Sequence, residues 1–151
     1  MLRKSVVLVG LTVMLFAALI GCGEPSGGGG ASSGEAALKI TGNVDSDMAW
    51  SEEEVRSMDT IEAERENKEG EMSTYTGVPI KALLGEAGVS EDATTVRFVA
   101  EDDTTADTDL AEVLTCDDCI VSFRNQGGFS IVMPGYSGEL QVKGVVEIQV
   151  E

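Results

Sequence analysis

The sequence predicts an α+β fold, a mixed β-sheet with short helices, on three observations. Period-two alternations of apolar residues recur from residue 37 to the C-terminus; three short stretches of helical character interrupt them; and no βαβ unit repeats, as a doubly wound parallel sheet would require. No internal repeat is present.

Each element has a local reason. "ALKITGNV" (37–44) alternates Leu38, Ile40 and Val44 with polar positions and ends at Gly42-Asn43, a strand and turn. In "WSEEEVRSM", Ser51 followed three residues later by Glu54 is a capping-box signature, with Trp50 placed to staple onto Val55, a packing role rather than a ligand-stacking one. "TIEAERE" (60–66) and "MSTYTGV" (72–78) read as strands about a polar turn at Asn67–Gly70. "PIKALLGEAGV" sets Pro79 in the first turn of a helix, Ile80, Leu83, Leu84 and Ala87 on one face, and Gly88 at its end. "TVRFVAE" (95–101) is a strand, "DLAEVL" (109–114) a short helix, and "IVSFR", "FSIVMP" and "VVEIQV" are the closing strands. The acid-rich "EDDTTADTD" (101–109) has no metal-loop spacing and reads as a solvated turn.

Three segments divide the chain. Residues 1–22 carry Arg3 and Lys4, an apolar run to Ile20, and then Gly21-Cys22, the order of a secretion leader. As an uncleaved helix, the run from Ser5 to Ile20 would reach only ~24 Å at ~1.5 Å per residue, short of a ~30 Å hydrocarbon core. Leu19-Ile20-Gly21-Cys22 resembles a bacterial-type lipobox, which implies cleavage before Cys22, lipid on its thiol and an extracytoplasmic, membrane-anchored product. Residues 23–34, "GEPSGGGGASSG", form a Gly/Ser tether with an r.m.s. reach of roughly 20 Å. Residues 35–151 are long enough for one domain with its own core.

The formal net charge is −17; without Arg3 and Lys4, 8 basic residues face 27 acidic ones, a balance of −19. Such a surface excludes nucleic acid, whose phosphates need clustered Lys and Arg. The chain has no histidine, so Ser-His-Asp and Cys-His sets are excluded as well. Asn43, Asp45, Asp47 and Glu54 fall at calcium-loop spacing, but Met48 occupies the place of the turn glycine, and no metal site is expected there.

In this order, "LKITGNV", "YTGVPIKALLGEAGV", "TTVRFVAEDD…TDLAEVL" and "IVMPGYSGELQVKGVVEIQV" resemble successive segments of the oxidoreductase molybdopterin-binding domain of sulfite-oxidase-like proteins, over most of 37–151. The resemblance implies that fold, an oxidoreductase lineage and a molybdenum pterin. It also implies a metal-ligating cysteine in the strand before the Gly-Val-Pro helix and a His-containing cofactor motif before the closing segment. "TIEAERENKEGEMSTY" has no cysteine, and "RNQGGFSIVMP" is shorter than the cofactor motif and lacks histidine. Lys143 matches the family's lysine in the closing segment. Arg124 and Lys143 are the cations left to meet an anion there, although for Lys143 a solvated surface role is the first expectation.

Cys116 and Cys119, in "TCDDCIVSF", do not align with the missing ligand. They lead into a strand rather than opening a helix, and Asp117 and Asp118 between them disfavour a thiolate. A local disulfide is the leading reading, free thiols the next, and zinc, which would need two carboxylates to complete its shell, the last.

The sequence therefore leads to a membrane-anchored lipoprotein outside the cytoplasm. Its molybdopterin-binding-like domain would be a degenerate, non-catalytic module for a small ligand or protein partner, with no cofactor expected. The alternatives are a molybdopterin-dependent oxidoreductase component, by resemblance only, and a thiol–disulfide protein acting through Cys116 and Cys119.

Overall fold

A computed structural model describes residues 35–151; the leader, Cys22 and the tether at 23–34 lie outside the described residues. The elements run β1 (Leu38–Gly42), β2 (Met48–Trp50), α1 (Glu52–Ser57), β3 (Ile61–Glu66), β4 (Met72–Pro79), α2 (Ile80–Ala87), β5 (Thr95–Ala100), β6 (Thr105–Asp109), α3 (Leu110–Thr115), β7 (Ile120–Phe123), β8 (Phe129–Val132) and β9 (Lys143–Val150), with a 3-10 turn at Gly138–Leu140. No helix among the described residues is long and apolar enough to cross a membrane.

The long strand β9 organises the sheet. One of its edges carries β8, antiparallel, against its first residues, and β1, parallel, against its last four; its other edge carries β5, which in turn pairs β6. From β8 the sheet continues through β7 and β4 to the free edge at β3, and from β1 to the three-residue β2. Parallel and antiparallel pairs thus coexist in one sheet, as a mixed architecture requires.

Burial follows the alternations. Val96, Phe98 and Ala100 of β5, Leu38 and Ile40 of β1, and Val145, Ile148 and Val150 of β9 enter one core with the Ile80, Leu83, Leu84 and Ala87 face of α2. Helix α1 closes with the expected box: the Ser51 hydroxyl accepts from Glu54 N–H while the Glu54 carboxylate accepts from Ser51 N–H at 2.7 Å. That carboxylate is thereby engaged in the cap, and Asp45, another member of the calcium-spaced set, packs its carboxyl group beside Gly88.

Three local details depart from the sequence expectations. Pro79 is the N-cap of α2 rather than a residue of its first turn, its fixed φ preparing the helix from outside, and Gly88 ends the helix in left-handed geometry, donating to Leu84 C=O at 3.1 Å. Residues 105–109 form strand β6 instead of continuing a turn. Its "TADTD" has no apolar face to announce it; it exists through its backbone pairing with β5 and through the Arg97 guanidinium, which donates to both Asp107 carboxylate oxygens at 2.8 and 3.0 Å. Strand β2 is hidden for a different reason: Met48 and Trp50 give it an apolar side, but three residues are too few to show a period of two.

Candidate functional site

Register aligns a row of residues across five strands: Ile61 of β3, Gly77 of β4, Ser122 of β7, Ser130 of β8 and Lys143 of β9. Because partners in register point to the same face of a sheet, these share one face with Ala63 and Tyr75 on one side and Ile120 and Val132 on the other. The opposite face carries Val78, Val121, Phe129 and Ile131 into the core.

The first face is floored by small residues. A Cβ on Gly77 would overlap the Val121 carbonyl oxygen and stand 2.6 Å from Ser122 Cα, so β4 and β7 approach as closely as they do only because position 77 has no side chain. Ser122 is the buried polar side chain of the described residues, 2% exposed, and its hydroxyl donates to Ser130 C=O at 3.1 Å. Above this floor lies a cleft of about 590 Å³, with Tyr75, Phe123 and Val132 among its apolar walls and Arg65, Arg124 and Lys143 among its polar ones.

Strands β3 and β9 are separated by β4, β7 and β8, roughly 19 Å in a flat sheet at ~4.8 Å per strand. Arg65 of β3 and Lys143 of β9 nevertheless line the same cleft. Arg65 spans part of that distance: its Nη2 lies 3.9 Å from where a Cβ on Gly138 would stand, against the segment that leads into β9. Gln141 holds that segment in place, accepting from Met133 N–H at 3.1 Å and donating to Met133 C=O at 2.9 Å.

Arg124, which follows β7, is positioned by the β7–β8 hairpin and by α1. Glu52 accepts from Gly128 N–H in the hairpin at 3.1 Å and from Arg56 Nε at 2.8 Å. Arg56 in turn donates to Arg124 C=O at 3.3 Å and lies 4.8 Å above the Phe123 ring, a cation–π contact. The Arg56 guanidinium and then the Gly128 amide hold the Glu52 carboxyl below its ordinary range. A group depressed in this way adds stability above the unfolded-state value and loses it as pH falls through the folded-state value. Glu52→Gln should therefore lower the urea midpoint at neutral pH, and the offset from the parent should shrink to nothing on acidification through the lowered Glu52 pKa. An offset independent of pH would show that the charge plays no part in fastening the hairpin.

The basic residues divide sharply. Arg56 pairs with Glu52, Lys81 with Asp117, and Arg97 with Asp107 and Glu151, while Arg124 has Glu101 at a loose 3.7 Å. Arg65, Lys68 and Lys143, and Lys39 away from the clefts, have no carboxylate within 4.0 Å among the described residues, although acids outnumber bases more than threefold there. Arg65 and Lys143 also line an adjoining cleft of about 810 Å³ that includes Lys68. The two cations singled out from sequence, Arg124 and Lys143, thus line one cleft; Arg65 joins them there, and Lys68 lies in the adjoining cleft with Arg65 and Lys143. The alternation of "TIEAERE" carried a signal for Arg65, since it places Arg65 with Ile61 and Ala63 and sets Glu62, Glu64 and Glu66 on the other face.

Cys116 and Cys119 lie elsewhere. Their sulfurs are bonded, with Cα atoms 5.5 Å apart; Cys116 caps the C-terminus of α3, and Cys119 C=O accepts from Ile80 N–H at 3.0 Å. The bond thus joins the end of α3 to the entry of β7, beside the start of α2. The Lys81 ammonium beside Asp117 holds that carboxyl below the usual range.

No protein-family model matches the chain, and no curated protein sequence does. Among solved structures it is similar to the sulfane dehydrogenase SoxCD from Paracoccus pantotrophus, with a TM-score of 0.63 and 21% identity over 75% of this chain and 37% of that one. The fold is of the sulfite-oxidase-like type. At this identity the likeness is one of architecture, and the chain spans well under half of the larger protein.

Proposed function

We propose that this chain is an extracytoplasmic lipoprotein, anchored through lipid on Cys22 and tethered by residues 23–34, whose domain at 35–151 binds a ligand in the β3–β4–β7–β8–β9 cleft without catalysing a reaction there. The observation that carries the binding reading is the gathering of Arg65, Arg124 and Lys143 around one concavity. On a chain this acidic, leaving cations without carboxylate partners forgoes favourable ion pairs, and their convergence on a small-residue floor suits an anionic guest.

A second reading, a molybdopterin-dependent oxidoreductase component, is favoured by the architecture shared with SoxCD. The donor set does not fit a molybdenum centre. The cleft is lined by no cysteine, both cysteines of the described residues are committed to each other, and the chain has no histidine. A metal of that class takes thiolate sulfur from its protein, and no residue of the cleft supplies it. The non-catalytic reading is therefore preferred.

The test is the molybdenum and pterin content of the full chain, purified from a host that makes the cofactor, by elemental analysis and by fluorescence of the oxidised pterin. The expected result is far less than one of either per chain. Near-stoichiometric amounts would overturn the non-catalytic reading in favour of the oxidoreductase.

A further inference from the structure

The three cations that line the cleft also border two different neighbouring clefts. Toward one mouth, Arg65 and Lys143 line both the central cleft, which has no carboxylate, and the adjoining one, which holds Lys68, Glu69 and the Ser137–Gln141 segment with Glu139. Toward the other, Arg124 lines both the central cleft and a different neighbour, whose lining includes Glu35, Glu52 and Glu101 as well as Gly127, Gly128 and Val145. Between the mouths the lining is uncharged, with the Tyr75 ring and Val132 as apolar surface and the Ser122 and Ser130 positions as the floor. The central volume, about 590 Å³, is that of a small-molecule site rather than a macromolecular groove.

Resting on the ligand-binding reading above, the geometry points to a specific class of guest: an organic dianion with one anionic group at each end and an uncharged body between them. One end meets the Arg65 guanidinium and the Lys143 ammonium, neither of which has to give up a carboxylate first. The other meets Arg124, whose loose contact with Glu101 a ligand carboxylate can replace. The body lies along Tyr75 and Val132, where apolar area is removed from water. The acidic surface outside the cleft repels anions in general, so a singly charged guest held at one mouth gains least.

The probes are the straight-chain dicarboxylates succinate, glutarate, adipate, pimelate and suberate, each against the monocarboxylate of equal length, titrated calorimetrically into the full chain in detergent. The expected result is an affinity maximum at one dicarboxylate length, about tenfold or more above the matching monocarboxylate, because only that length reaches both mouths. Arg65→Gln should bring the best dicarboxylate down to the level of its monocarboxylate. Lys143→Gln, an exposed position at the same mouth, should do so in part and covers the case in which Arg65→Gln disturbs the fold. Lys39→Gln, on β1 and outside the clefts, should change nothing.

Equal affinity for mono- and dicarboxylates at every length would overturn the two-ended guest and leave an anion-binding cleft standing. No binding of any probe by a chain with an intact circular dichroism spectrum would overturn both the dianion and the cleft as a ligand site. Cofactor content, measured separately, decides the catalytic question without reference to either outcome.

Discussion

Gly77→Ala is expected to destabilise the domain by about 3 kcal/mol, the upper part of the range for overpacking, and to abolish anion binding in whatever fraction remains folded. The added methyl group meets backbone on both sides of its position, the Val121 carbonyl oxygen and Ser122 Cα, rather than the tip of a side chain that could swing away. Relief therefore requires β4 and β7 to separate. These strands are joined through Gly77, Val78 and Pro79 against Ser122, Val121 and Ile120, a short ladder with no redundancy to absorb the shift. The same displacement would tilt the Ser122 floor and move Tyr75 away from Arg124. A urea midpoint for folding and a calorimetric titration for binding check the two parts; a variant with parental midpoint would show that the strands part without cost. Gly85→Ala provides the contrast, since a Cβ there meets nothing within 4 Å and alanine suits a helix interior better than glycine.

The row that passes through Gly77 also marks where reading the sequence succeeds and where it stops. Strands with an apolar face were visible because burial imposes period two on them: Val96, Phe98 and Ala100 in β5, or Leu38 and Ile40 in β1, could occupy hardly any other arrangement. Helix α2 was visible from its face and from its Pro79 and Gly88 punctuation, and α1 from Ser51 and Glu54. Strand β6 was not, because Thr105, Asp107 and Asp109 stay in water on an edge and main-chain hydrogen bonds, with the Arg97–Asp107 ion pair, make them a strand. No side-chain pattern records a pairing of that kind.

The site divides along similar lines. Lys143 could be named because it matches a lysine of the family that the closing segment resembles, and Arg124 as the other cation near that segment, but the resemblance gave no pointer to Arg65. The encounter between Arg65 and Lys143 depends on the path of the sheet through three intervening strands and on the reach of Arg65 toward Gly138. That is information about curvature, distributed over β4, β7 and β8, and no short window of sequence contains it. The carboxylate-free lining of the cleft is likewise a product of assembly. Strand β3 carries acids on either side of its cation, and alternation turns Glu62, Glu64 and Glu66 to the face opposite Arg65.

Stability and binding should be separable elsewhere in the molecule, and Phe98→Ala is the substitution that shows it. Phe98 is fully buried at the middle of β5, in register with Ala106 of β6 and Ile148 of β9, and is among the largest side chains the core encloses. Removing its ring forfeits the transfer free energy of the buried atoms and leaves a cavity that the strands on either side cannot close by moving together, a loss of about 3–5 kcal/mol. Against a total stability of roughly 5–15 kcal/mol for a domain, this is enough to shift the urea midpoint substantially while leaving most molecules folded in water. Phe98 lines none of the three clefts, and it sits on the edge of β9 opposite the one that carries β8. Its loss should therefore lower the midpoint without altering the dissociation constant of the folded fraction for the best dicarboxylate, once that constant is corrected for the unfolded population. A parallel fall in both would mean that the cleft depends on the packing of β5 against β9, and that the floor formed by Gly77, Ser122 and Ser130 is held from the core side as well as by its own ladder.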